Sequence, residues 1–282
     1  MKAKSDVTQA LAITGAGRGI GRGIALCLAE AGANLVVNSF QKETTAKVAG
    51  EVEALGRQAL PISGDIAQIS TISQVIDLTL DTFGRIDILV NNVGGGPPTP
   101  GASDDSLLGR LETEWDEMYQ QNLKAPMMMC QAVAPHLIKQ KSGKIVNIAS
   151  GAGRNTYASK TSPISYQAMK AGLIRYTQSL ADKLGPHNIN VNGVCPGYVY
   201  SVTWEKSARR MVETREEYKG LDPKEWFDRL NEGKYPELAP LTPLMREQTV
   251  EDIGQAVIFL VSEEGKNITG QTLNVDGGRH KN

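Results

Sequence analysis

Seven short, continuously apolar runs alternate with stretches of helical periodicity, and this alternation constrains the chain more than any other feature. The runs cover residues 10–14, 34–38, 59–62, 86–91, 144–149, 189–195 and 272–275. Most are continuous and do not alternate with polar residues. Strands read this way when both faces are covered, as in a parallel α/β sheet. Helix-like stretches lie between them at 21–31, 44–55, 69–83, 112–139, 165–184 and 250–261. The pattern predicts a doubly wound α/β fold with helices on both sides of the sheet. No internal repeat or domain linker interrupts it, so residues 1–282 read as one domain.

Composition excludes several other classes. A net charge of −1 gives no electrostatic reason to expect nucleic acid or an anionic membrane as a partner. Cys27, Cys130 and Cys195 are too scattered for a disulfide framework or a zinc site and read as packing residues. His136, His187 and His280 have no metal-ligand spacing, so no metal is expected. No run approaches the roughly 20 apolar residues of a membrane span. The opening residues lead into a strand-like run, unlike a signal-peptide core, and the expected location is cytoplasmic.

Two segments break the rhythm. Residues 94–106, rich in Gly and Pro, read as a loop. Residues 199–245 are long and densely charged. Within them Asp222-Pro223-Lys224-Glu225 has the form of a helix start, with Trp226, Phe227 and Leu230 as an apolar face and Gly233 as a stop. A second helix is expected after Thr203, with Trp204, Ala208 and Met211 on one side. The segment predicts a small helical cap, mobile and with few apolar residues to pin it.

The first run ends in Thr14-Gly15-Ala16-Gly17-Arg18-Gly19-Ile20-Gly21. Strand, glycine turn and helix start, in that order, form a phosphate site. Glycine lets the backbone approach a pyrophosphate, and the helix N-terminus offers free N–H groups and a favourable dipole. Downstream stand Asn91-Asn92-Val93-Gly94, Asn122, Ser150, Tyr166-x-x-x-Lys170, Pro196-Gly197 and Thr269-Gly270-Gln271 followed by Val275-Asp276-Gly277-Gly278. In this order and spacing the chain resembles the short-chain dehydrogenase/reductase family. The likeness is to its single-domain branch, which includes 3-oxoacyl-[acyl-carrier-protein] reductases. The resemblance implies a Rossmann-type sheet of about seven strands in the order 3-2-1-4-5-6-7. It also implies hydride transfer between NAD(P) and an alcohol or carbonyl.

Tyr166 and Lys170 are four apart and share a helix face. A phenol ordinarily holds its proton to pH ~10, and a nearby ammonium lowers that value. Reaching neutrality takes roughly 4 kcal/mol at about 1.36 per unit, which Lys170 and the oxidised nicotinamide ring would share. The resemblance assigns Tyr166 as acid/base and Lys170 also as holder of the nicotinamide ribose. It assigns Ser150 to the substrate oxygen and Asn122 to a proton relay through water. Tyr157-Ala158-Ser159-Lys160 has similar wording, but its lysine is three residues on and it follows Ser150 too closely. Ser150 to Tyr166 is sixteen residues, a few more than the family pattern, and Val93 stands where alanine is usual.

For the cofactor, the resemblance points to Gly15, Gly17, Arg18, Gly19, Ile20 and Gly21 at the phosphates, and to Asp65 and Ile66 at the adenine. It adds Asn92, Gly94, Pro196, Gly197, Val199 and Ser201 near the nicotinamide half. Asn38-Ser39 ends the second run, with Ser39 where an NAD-type aspartate would stand and Arg18 and Lys42 in reach of a 2′-phosphate. NADP(H) is therefore expected over NAD(H). The alternatives are a silent nucleotide-binding sensor or scaffold, and a sugar-nucleotide enzyme of the extended branch. The four residues Asn122, Ser150, Tyr166 and Lys170 argue against the first, and the glycine spacing against the second. Candidate substrates are 3-oxoacyl thioesters, sugars or polyols, steroids and small ketones. Apolar residues on several faces of 112–139 and 165–184, among them Met127, Met128, Met129, Ile174 and Leu180, predict a homotetramer or homodimer.

Overall fold

The computed structural model describes residues 9–95, 112–155, 162–239 and 242–281. It contains a seven-stranded parallel sheet in the order β3-β2-β1-β4-β5-β6-β7. The strands are β1 (Ala10–Ile13), β2 (Asn34–Ser39), β3 (Ala59–Ser63), β4 (Ile88–Asn91), β5 (Gly143–Ile148), β6 (Ile189–Pro196) and β7 (Thr272–Val275). All seven apolar runs are strands, and the strand order is the one the resemblance implied.

The helices are α1 (Gly19–Glu30), α2 (Lys42–Ala54), α3 (Ile69–Phe83), α4 (Glu112–Tyr119), α5 (Ala125–Gln140), α6 (Ile164–Leu184), α7 (Val202–Thr214), α8 (Pro223–Asn231) and α9 (Val250–Val261). Continuous apolar strands are explained by cover on both faces. Leu11 and Ile13 of β1 join a core with α1, α2 and α9, while Ala12 points to a second core with α3, α5 and α6. On the first face α1 and α9 approach so closely that a Cβ on Gly254 would sit 2.5 Å from Cys27 Sγ. The three cysteines are buried.

The stretch read as one helix over 112–139 is interrupted. Between α4 and α5, Gln120–Lys124 forms a π-helical turn. Such turns insert a residue into the helical ladder and re-aim its neighbours, often at functional sites. Here the residue turned inward is Asn122, which is fully buried.

The cap is helical, as expected, and Asp222 caps α8 by accepting hydrogen bonds from Lys224 N and Glu225 N. The expectation of few pinning residues is corrected. Ala208, Val212, Tyr218, Trp226, Phe227, Leu230 and Ala239 form a buried cluster of the cap's own. Its rings interlock, with Trp204 and Phe227 5.2 Å apart and Trp226 stacked on Tyr235 at 5.7 Å. The sequence conceals this because its aromatic residues are scattered in short groups among charges. Most of the loop at 94–106, and Tyr157 with its neighbouring Lys160, lie outside the described residues.

Candidate active site

In a doubly wound sheet, ligands bind beyond the carboxyl ends of the strands where the strand order reverses. Here the reversal falls between β1 and β4, and the candidate residues gather at that edge. Thr14 N donates to Val90 O at 3.0 Å, extending β1 alongside β4. The chain then turns through Gly15 at φ +65°, in the left-handed region where glycine is favoured. Ala16 N donates to Asn38 O at 2.8 Å and so ties the turn to the end of β2.

The turn fits a diphosphate. Helix α1 begins at Gly19, with no side-chain cap and no acidic residue in its first turn, so its N-terminal dipole is uncompensated by the chain. Arg18 is exposed at the N-cap. A Cβ on Gly17 would strike the Ser39 hydroxyl and come within 2.7 Å of Thr44 Oγ1. The end of β2 and the start of α2 therefore stand against the turn. Ser201, at the N-cap of α7, faces Gly19 from the other side, 3.7 Å from where a Cβ would be. Thr44 was not anticipated; its signal was its position just after the Ser39 strand end. Ile20 lies in the first turn of α1 and packs against the adjoining core.

Several expected cofactor residues also brace the site. Asn92 Nδ2 donates to Thr14 O at 3.2 Å and Gly15 O at 3.1 Å, so its side chain braces the turn. A Cβ on Gly21 would collide with Gly15 O and Asn92 Nδ2. The Asn38 side chain is buried and donates to Ile62 O at 3.1 Å. Asp65 Oδ1 accepts from Ala67 N at 2.9 Å, and the Ile66 side chain lies in the core. Pro196 closes β6, and Gly197 N donates to Val275 O at 2.8 Å. A Cβ on Gly197 would lie 2.7 Å from the Asp276 Cα, so this passage is closed to larger residues. Val199 is buried and bridges to Gln248.

Beyond β4 and β5 the other candidates converge. Lys170 is buried, and its ammonium donates to Ile148 O at the end of β5, at 3.0 Å. Its Nζ lies 5.7 Å from the centre of the Tyr166 ring. Gly94 separates Lys170 from Asn122, since a Cβ there would come within 2.8 Å of Lys170 Nζ and 2.7 Å of Asn122 Oδ1. Asn122 Oδ1 accepts from Gly95 N at 3.0 Å, and its Nδ2 donates to Gly95 O at 3.1 Å and Met118 O at 3.1 Å. The Asn122 side chain thus fixes the chain leaving β4, with Gly94 lying between it and Lys170. Ser150 caps a short 3-10 turn, Gly151–Arg154, with its hydroxyl accepting from Ala152 N at 3.1 Å. The same hydroxyl is close enough to the Tyr166 phenol to favour its charged form.

The electrostatics depart from expectation. Burial pushes the Tyr166 phenol above its ordinary value and outweighs the influence of Ser150. Lys170 does not bring the phenol down because burial acts on the lysine as well, lowering it to about 8 despite the buried Cys195 thiol nearby. The chain by itself therefore holds a protonated phenol, and a further positive charge is needed to lower it.

Comparison with known proteins agrees with this geometry. Residues 9–212 match the family model for short chain dehydrogenase. The chain belongs to the short-chain dehydrogenase family. It is 34% identical over 276 residues to a 3-oxoacyl-[acyl-carrier-protein] reductase of Staphylococcus aureus, covering 97% of this chain and 99% of the relative. Among solved structures, a 3-oxoacyl-[acyl-carrier protein] reductase from Brucella melitensis superimposes with TM-score 0.82 at 28% identity, covering 99% of this chain and 94% of that one. A 7α-hydroxysteroid dehydrogenase complexed with NADH gives TM-score 0.79 at 32% identity, covering 99% and 96%. As a member of this family the chain is an oxidoreductase.

The lowered Lys170 makes stability depend on pH. Below about pH 8 folded and unfolded chains both carry the ammonium, and the burial penalty is felt in full. Between about 8 and the unfolded value of 10.5 the unfolded chain binds more protons, so stability rises with pH. The full effect is on the order of 3 kcal/mol. Urea midpoints measured from pH 7 to 10 on the cofactor-free protein should rise relative to Lys170→Met. Parallel curves for the two proteins would refute the assignment.

Proposed function

We propose that this chain is an NADP(H)-dependent carbonyl reductase in which Tyr166 is the proton donor. The observation that carries the reading is the convergence of Ser150, Tyr166 and Lys170 at the end of β5, beside the glycine turn that follows β1. Gly15, Gly17, Arg18, Gly19, Ile20 and Gly21 would hold the pyrophosphate, with Ser39 and Thr44 near the adenosine ribose. Asp65 and Ile66 would border the adenine. Lys170, Gly94, Pro196, Gly197, Val199 and Ser201 would hold the nicotinamide half. The bound nicotinamide supplies the hydride.

The residues of the chain do the rest. Ser150 donates a hydrogen bond to the substrate carbonyl oxygen and fixes its distance from the phenol. Tyr166 holds its proton at neutral pH and delivers it to the oxygen as negative charge develops there. Lys170 limits the cost of the phenolate left behind. Asn122 keeps the chain after β4 clear of the lysine and leads protons in from the solvent side. A silent nucleotide-binding role has no use for a phenol and a buried ammonium aligned in this way.

The first substrates to test are 3-oxoacyl thioesters, the class named for the relatives in Staphylococcus aureus and Brucella melitensis. The solved steroid dehydrogenase shows that a similar scaffold takes other carbonyls, so sugars, steroids and small ketones complete the panel. Nicotinamide absorbance reports turnover. Tyr166→Phe should lower kcat by at least about 10²–10⁴-fold while NADP(H) still binds. Tyr157→Phe should leave substantial activity. An active Tyr166→Phe with a dead Tyr157→Phe would overturn the assignment.

The cofactor choice rests on Ser39. A carboxylate at this strand end binds the ribose 2′-hydroxyl and repels a 2′-phosphate; a serine does not repel it. That one relative binds NADH leaves the family neutral on the point. Wild-type kcat/KM should favour NADPH, and Ser39→Asp should shift the ratio toward NADH. Equal or better kcat/KM with NADH in the wild type would contradict this.

The assembly proposed is a homotetramer or homodimer built on α5 and α6. Met129 and Ile174 are buried within the subunit, whereas Met127, Met128 and Leu180 line a shallow groove on the outer side with Tyr119, Ile138 and Tyr176. An apolar groove on the outer faces of two helices needs a partner beyond their own sheet. Light scattering at micromolar concentration should give a multiple of the 30.4 kDa subunit, and a monomer alone would reject the proposal. A cytoplasmic location is the setting proposed for this activity. Among the described residues no helix is long and apolar enough to cross a membrane.

A further inference from the structure

The turn that presents Ser150 is anchored from an unexpected direction. The residue that caps its far end, Asn155, meets the C-terminal segment, where His280 Nε2 lies 2.8 Å from Asn155 Oδ1. On the other side of the ring, His280 Nδ1 lies 2.8 Å from Asp276 Oδ2. The imidazole is 8% exposed and the Asp276 side chain 2%, so neither contact is loosened by solvent. The ring also packs beneath the start of the turn, since a Cβ on Gly151 would sit 2.9 Å from His280 Cε1.

The segment bearing His280 is itself held. Asp276 accepts hydrogen bonds from Gly278 N, Arg279 N and His280 N at 2.9, 3.1 and 2.9 Å. Burial pushes its carboxyl up, but the hydrogen bonds from His280 and Gly278 prevail and hold it below the ordinary range. Asn274 Nδ2 donates to His280 O at 3.1 Å. Within the turn, Arg154 donates to Thr272 O at 2.9 Å, so the turn is fixed to β7 as well. This is a connected path from the end of β7, through Asp276, His280 and Asn155, to both ends of the Ser150 turn.

We propose that His280 is a positioning residue for Ser150, with Asp276 orienting the imidazole and Asn155 receiving it. The inference rests on the reading of Ser150 as the hydroxyl that holds the substrate oxygen. Its physical content is that a single buried ring sets the height of the turn at the floor of the site. Deleting the ring frees Gly151 to drop and Asn155 to swing, and the Ser150 hydroxyl loses its fixed distance to the Tyr166 phenol. His280 itself meets Asn155, Asp276, Asn274 and the Gly151 start of the turn, none of which is assigned to the cofactor, so loss of the ring is expected to spare most of the cofactor's affinity.

A double-mutant cycle tests this, using the carbonyl of the substrate panel that turns over fastest. His280→Ala should lower kcat about tenfold, the effect of one misplaced hydrogen bond. NADPH binding, followed by nicotinamide fluorescence, should stay within about twofold and report that the protein is folded. His280→Gln, whose amide spans part of the same gap, should recover much of the loss, and added imidazole should partly rescue His280→Ala. In a Ser150→Ala background, His280→Ala should cause no further fall, because residues acting as one unit are not additive. A proportional second loss in that background would mean a general structural role and would overturn the proposal, as would wild-type kcat in His280→Ala. If Ser150→Ala itself retains full activity, the reading of the active site fails instead, and the two failures are told apart by that single variant.

Discussion

Four hydrogen bonds between the ends of β1 and β4 hold this site open. Asn92 N and Val93 N donate to Thr14 Oγ1 at 3.1 and 3.2 Å, and Asn92 Nδ2 donates to Thr14 O and Gly15 O. Strand order reverses at this pair, so the following segments diverge to opposite faces and leave a crevice between them. Without the tie, the glycine turn and the Gly94 segment would separate along the line where the two halves of a ligand must be bridged. One threonine hydroxyl and one carboxamide therefore set the relative position of the glycine turn and the Gly94 segment beside Lys170. Asn92, which the sequence suggested for a ligand contact, braces the turn through its Nδ2.

Beyond the crevice the controlling constraint is a buried charge. Few lysines are buried, because removing an ammonium from water is expensive unless it is paired. Lys170 has a carbonyl partner, Ile148 O, and no carboxylate contact among the described residues. Its lowered value reflects its burial. The neighbouring residues are chosen to let it stay: Gly94 carries no side chain that would crowd the Nζ, and Asn122 fixes the backbone around that glycine. The phenol, raised by the same dry surroundings, keeps its proton at neutral pH. A cationic cofactor ring would tip this balance, which couples the acidity of Tyr166 to whether, and in which redox state, the site is loaded.

The architecture was legible in the sequence because burial on both faces leaves uninterrupted apolar runs, and each of the seven became a strand. The Tyr166 and Lys170 pair was legible for a local reason, the one-turn step along a helix. Features that depend on contacts far apart in sequence were not. The π turn at Gln120–Lys124 leaves the apolar periodicity almost intact, so 112–139 read as one helix. The cap's core draws Tyr218, Trp226 and Tyr235 together from three segments, none of which is apolar on average. His280 looked like a stray histidine because Asn155 lies 125 residues away. No spacing rule carries such a contact.

These long-range contacts share one direction: they reach the active-site edge from the C-terminal half. Val199 bridges to Gln248, Gly197 abuts Asp276, and the Arg279 guanidinium stacks on the Tyr198 ring at 3.6 Å while donating to Thr242. The first half of the chain builds the glycine turn proposed to cradle a diphosphate from adjacent strands and short turns, so its geometry follows from local sequence. On the proposed function the second half would place a substrate against it, and its last described residues fold back beneath the Ser150 turn and beside the root of the cap. Side chains on the cap can therefore change without disturbing the proton-donating groups, provided the tail remains seated. A substitution at Asp276, by contrast, would release Gly278, Arg279 and His280 together. It would loosen the floor of the site and the root of the cap in one step, although it lies outside both.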